Sequence, residues 1–215
     1  MSVSDMWKCN AVVLMLLIVL NFALFALGMT PWMVLGLIIL ALSMFHCFRQ
    51  GMAYGLHACT VRDTVEHSMD PSSPSFGQVD QQTVAKAWSV NRGIKGVLAS
   101  ALIPYVTGCV FIICSLLNIE PLVLPTRLIS WVVAMPFWPM VLPWYQTFDR
   151  LTGVVAAVLM ISPFMLPLCT FAGYMQGPRL WAKSEKAMAE GKRRAKAKSR
   201  VARKKPAPKP QRPEI

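Results

Sequence analysis

From Cys9 to Phe48 the sequence has no charged residue, and the same holds for Gly96–Ile119, Leu128–Phe148 and Leu151–Pro178. Only 15% of the 215 residues are charged, against about a quarter in an ordinary soluble domain. Uncharged apolar runs of about 18 residues or more are the signal of membrane-crossing helices. A soluble domain has no way to bury four of them. Catalytic signatures are missing as well. There is no phosphate-binding Walker loop, no G-x-S-x-G elbow and no H-E-x-x-H pair, which removes the commonest NTPase, serine hydrolase and zinc protease chemistries. No Asp, Glu, Lys or Arg lies within a predicted span, whereas ion-coupled transporters place such groups at mid-membrane. The six cysteines include no C-x-x-C pair. Free thiols are expected, with no disulfide framework and no cofactor.

What is present is a near-neutral body with a cationic end. Residues 1–176 carry eight Lys/Arg and seven Asp/Glu, while residues 177–215 carry fourteen and three. The chain reads as an all-α, polytopic helical membrane domain over residues 1–178, followed by a basic cytoplasmic tail over 179–215. Four transmembrane helices are expected, at about 10–28, 31–48, 96–118 and 151–175, with a cytoplasmic loop over 49–95. Gly28, Thr30 and Pro31 mark a tight turn between the first two, with Thr30 capping the second helix and Trp32 as an interfacial anchor. Gly51–Glu66 is expected to continue the second helix beyond the membrane. Thr83–Lys95 is expected to be a surface helix.

The stretch 121–150 has five prolines, together with Trp131, Trp138, Trp144 and Tyr145. Leu128–Phe148 is long enough to cross, but Pro136, Pro139 and Pro143 remove backbone donors within it. A re-entrant or interfacial segment is one reading; a fifth span is the other. Charge bias separates them. With four spans, twenty Lys/Arg fall on one side and two, Arg127 and Arg150, on the other. With five, the split is fifteen to seven. The positive-inside rule favours four spans in the cell membrane with both termini cytoplasmic.

The tail holds the candidate site for anionic surfaces: Arg179, Lys183, Lys186, Lys192, Arg193, Arg194, Lys196, Lys198, Arg200, Arg203, Lys204 and Lys205. Pro178–Val201 is rich in helix formers, and the four prolines from Pro206 to Pro213 impose an extended, disordered end. Expected partners are the lipid bilayer with its anionic headgroups, or an acidic protein face, and a homo- or hetero-oligomer is compatible. Nucleic acid or a ribosome is disfavoured, because after Trp181 the tail has no aromatic residue on which bases could stack. A multi-pass body with a basic tail is similar in outline to membrane insertases that bind ribosomes. Those proteins hold a positive charge in a membrane groove, and these spans offer none.

A second cluster gathers His46, Cys47, His57, Cys59, Asp63, Glu66 and His67. These residue types bind zinc, but no pair has the spacing of a strong metal motif. Within the spans, Gly153 and Ala157 form a small-x-x-x-small pair suited to helix approach. Gly51 and Gly55 have the same spacing, either as a helix contact or as a flexible exit. Gly177-Pro178 reads as a chain break at the interface. The leading functional expectation is a non-enzymatic accessory, scaffold or assembly factor. The alternatives are an oligomeric transport component and a membrane enzyme using His57, Asp63, Glu66 and His67.

Overall fold

A computed structural model describes residues 3–72, 74, 77, 80–84, 86–117, 119–140 and 153–204. Among them there is no strand. The helices are α1 (Val3–Phe25), α2 (Met29–Met69), α3 (Gln81–Val84), α4 (Val90–Leu116), α5 (Glu120–Ala134), a 3-10 turn (Met135–Met140), α6 (Gly153–Met175) and α7 (Gly177–Lys204). Two compact units result, Met1–Pro178 and Arg179–Ile215.

Apolar side chains cover the outside of the first unit. Val19 is 65% exposed, Leu42 62%, Leu102 60% and Ile161 62%. Water would penalise such a surface, whereas lipid matches it. The fold is that of a helical polytopic membrane protein.

The turn between α1 and α2 forms at Gly28, whose φ of 110° suits a residue without a Cβ. Gly28 itself caps α2, so Thr30 and Pro31 lie within the first turn, where proline's missing N–H costs nothing. Trp32 is not an interfacial anchor. It is 1% exposed, and its indole N–H donates to Asn21 Oδ1 at 2.9 Å. Asn21, fully buried, in turn donates to the Leu17 carbonyl at 2.9 Å. Asn21→Leu strands that indole N–H in an apolar core. The expected loss is about 1 kcal/mol, the scale of hydrogen bonds between membrane helices, read as earlier unfolding in a detergent titration.

Five segments are long and apolar enough to cross a membrane. Packing register gives their relative directions. Met6 lies against Gly96, and Asn10 bonds Ser100, so α1 and α4 run parallel. Gly93 faces Phe171 and Gly108 faces the Leu159 carbonyl, so α4 and α6 run antiparallel. Gly51 meets Thr170 and Gly55 meets Tyr174, so α2 and α6 run parallel. Hence α4 ends on the same side on which α6 begins, the side of the Gly28 turn. Val155 and Leu159 share a core there with Trp32 and Phe111.

The chain between α4 and α6 therefore leaves and rejoins one side. Within it, Ser130 Oγ donates to the Thr107 carbonyl at 2.9 Å, and Pro139 sits over Gly36. Gly36 is seven residues into α2, or about 10 Å from the turn at 1.5 Å per residue. Phe137 reaches further, into a core with Leu17, Leu40 and Leu166. The segment re-enters the bundle from the side of the Gly28 turn and reaches the level of Gly36 and Leu40. The α-helix containing Leu128 ends at Ala134 and tightens into the 3-10 turn around Pro136 and Pro139. Pro143, Trp144, Tyr145 and the rest of 141–152 lie outside the described residues.

Two local expectations need correcting. Thr83–Lys95 is not one helix. Trp88 N–H donates to the Ala58 carbonyl at 3.0 Å, which holds the chain extended, and Ser89 then caps α4 by accepting from Arg92 N–H at 3.3 Å. At Gly153, too, no helix contact forms among the described residues, since a side chain there would meet none of them within 4 Å. The small-residue crossing lies at the other end of α6.

Candidate functional site

The second unit carries most of the charge. Ala, Lys, Arg and Glu favour α7, and Pro178 occupies its first turn. Of the twelve candidate residues, Arg179, Lys183, Lys186, Lys192, Arg193, Arg194, Lys196, Lys198, Arg200, Arg203 and Lys204 lie on this helix. Lys205 and the proline-rich end lie outside the described residues. The steps from Arg179 to Lys183, Lys186 and Arg193 are four, three and seven residues, which places these four on one face. Trp181, Met188 and Ala195 follow one another by sevens on the opposite face. Side chains from Glu185 to Lys196 are exposed. The arrangement is a cationic rod of 28 residues, about 42 Å long. Its exposed charges suit electrostatic attraction of anions.

The His/Cys cluster does not assemble. Among the described residues no three His, Cys, Asp or Glu side chains converge as a metal requires. His46 and His57 are eleven residues apart on one straight helix, about 16 Å, too far for a common ion. Glu66 instead accepts from Arg62 Nε at 2.6 Å. The His67 ring lies 3.0 Å from the Asp63 carbonyl, one turn earlier. Burial pushes the Cys59 thiol up, against the pull of Arg62, which disfavours the thiolate that a metal or an electrophile needs. Asp70, at the end of α2, accepts from Ser72 N–H and Oγ, and these bonds hold its carboxyl below the usual range. That is a turn device. All six cysteines are free.

Sequence reasoning did not find the junction on the loop side of the bundle. Trp88 stacks on Tyr174 with ring centres 6.1 Å apart. Tyr174 OH accepts from Ser89 N–H at 3.2 Å and lies 3.3 Å from the Ser89 carbonyl. Arg92 donates to the carbonyls of Ala87 and Val84. Beneath this clamp, α2 and α6 cross through Gly51, Gly55, Gly173 and Gly177. A Cβ on Gly51 would overlap the Thr170 carbonyl oxygen; on Gly55, that of Tyr174; on Gly173, that of Phe48. Gly177 lies on the backbone of Gly55. Gly51-x-x-x-Gly55 is thus a helix contact, paired with a second G-x-x-x-G at 173–177. The expected break at Gly177-Pro178 falls one residue earlier, at Gln176 between α6 and α7.

Comparison with protein families, curated proteins and solved structures finds no match to this chain.

Proposed function

We propose that the chain is a non-enzymatic multi-pass protein of the cell membrane, acting as an accessory, scaffold or assembly factor whose tail contacts anionic lipid headgroups or an acidic partner. The observation that carries this reading is the density of Lys and Arg on α7, beside a body whose spans hold no ionisable group suited to transport or catalysis. The twenty-to-two charge split supports a cytoplasmic placement of both termini and of the 49–95 loop, with the Gly28 turn outside. In a chain freed of its own cysteines, a single cysteine at Ser73 should resist an impermeant maleimide added to intact cells and react after permeabilisation. Labelling from outside would invert the topology. Cross-linking after mild solubilisation should recover a specific partner if the scaffold reading holds; recovery of neighbours in proportion to their abundance would sink it.

A further inference from the structure

The bundle contains a cavity of about 250 Å³ between α1, α4, α6 and the re-entrant segment. Along α1 its lining runs from Trp7 to Ile18, eleven residues or about 16 Å parallel to the helix axis. Buried Phe137, Ser162 and Leu166 form its floor. Met15, 67% exposed, and Ile103, 59% exposed, stand at its rim, so it opens to the lipid between α1 and α4.

Its few polar atoms are almost all engaged. Asn10 donates to Ser100 Oγ at 3.1 Å and accepts from Thr170 Oγ1 at 2.8 Å. Ser100 donates to the Gly96 carbonyl at 2.8 Å. The Ser162 hydroxyl is left over, too little to order water, which needs two to four polar partners. No charged residue lines the cavity, which excludes ions and carboxylates. Apolar cavities of this size stay dry and accept apolar guests. Inside a membrane the abundant apolar guest is hydrocarbon.

We propose that this cavity holds the hydrocarbon chain of a phospholipid from the leaflet on the loop side, with its headgroup at the interface beside Trp7. The slot is elongated along the α1 axis, as an acyl chain lying beside a spanning helix is. Its interfacial end carries Trp7, a residue type that favours the headgroup level. Its far end is closed by Phe137 of the re-entrant segment. The lipid chain thereby completes the packing between α1 and α6, which otherwise meet at the Asn10–Thr170 bond and in the core that Leu17 and Leu166 share.

The test uses the full-length protein in nanodiscs containing a phospholipid with a diazirine along one acyl chain. After irradiation, adducts are mapped by mass spectrometry. Adducts on Leu14, Phe137 and Leu166 should exceed those on Val19, Leu42 and Ile161 several-fold, although the latter three are far more exposed. Adducts distributed in proportion to exposure would overturn the proposal. Ala11→Phe, which fills the slot from α1, should abolish the cavity adducts and leave the lipid-facing ones unchanged; persistence of cavity adducts in the folded variant counts against the site. If that variant fails to fold, the map of the native protein decides alone. Phosphatidylcholine and phosphatidylglycerol carrying the same labelled chain should label equally. A several-fold preference for the labelled chain as a free fatty acid would overturn the assignment to phospholipid.

Discussion

Gly173→Leu is expected to abolish the folded state of the membrane domain, whereas Gly153→Leu on the same helix should be nearly silent. At Gly173 the added Cβ falls on the Phe48 carbonyl oxygen and within 2.9 Å of the Met52 nitrogen. Both are backbone atoms of a continuous helix, so no rotamer change relieves the clash. Overpacking in a yielding core costs about 1–3 kcal/mol, occasionally more. Here the two helices must separate along the whole crossing, because Gly51, Gly55 and Gly177 share the close approach. A loss of about 3 kcal/mol or more is expected for Gly173→Leu, and even Gly173→Ala should be severely destabilising. Gly153 has no described neighbour within 4 Å, so leucine there displaces none of the described backbone. The readout is the monodisperse fraction after detergent extraction, followed by a denaturant titration of whatever survives. Similar behaviour of the two variants would mean that the α2–α6 crossing is not made through these glycines.

Removing the tail after Pro178 should abolish salt-sensitive binding of the protein to anionic vesicles. With the domain held in neutral nanodiscs, the full chain is expected to capture vesicles containing phosphatidylglycerol, to ignore neutral ones, and to release them in 1 M salt. A Lys or Arg near an anionic leaflet gains on the order of 1 kcal/mol, and the effect fades within a Debye length of about 8–10 Å. Only the residues facing the bilayer realise that gain together, so several kcal/mol is expected and a sum over all twelve is not. The face with Arg179, Lys183, Lys186 and Arg193 is the one expected to lie toward the lipid. Charge reversal there should cost more than reversal of the same number of residues elsewhere on α7. Equal binding to neutral vesicles, or binding that survives 1 M salt, would replace the electrostatic account with a hydrophobic or protein-specific contact.

The parts of the fold legible in the sequence are those set by local chemistry. The absence of charge marked the apolar helices, and Gly28 marked the turn because only the backbone conformation of that residue was at issue. The prolines marked the segment that fails to continue as an α-helix, and counting Lys and Arg favoured the parity that the packing register displays. What escaped depends on neighbours distant in the chain. Nothing near Trp88 announces that its N–H will meet Ala58, or that Tyr174 will hold Ser89 from 85 residues away. Gly153-x-x-x-Ala157 and Gly173-x-x-x-Gly177 look alike on paper. Only the partner helix decides which is used, and the second was masked by reading Gly177-Pro178 as a break. Trp32 illustrates the same limit, since it is buried in a core with Phe111, Trp138 and Val155, far along the chain. The cationic helix was legible throughout, as its composition alone favours a helix and its charges need no partner within the fold.

The glycine crossing also sets a timetable for biogenesis. Gly51 and Gly55 are synthesised roughly 120 residues before Gly173, a delay of about 6–24 s at 5–20 residues per second. Throughout that interval the α1–α2 hairpin must persist with its glycine groove uncovered and its later companion unmade. The Asn21–Trp32 bond, which needs no other helix, is the contact able to hold the nascent hairpin together. A ribosome stalled before α6 would leave that groove open, a vacancy that a quality-control protease or a foreign small-residue helix could recognise.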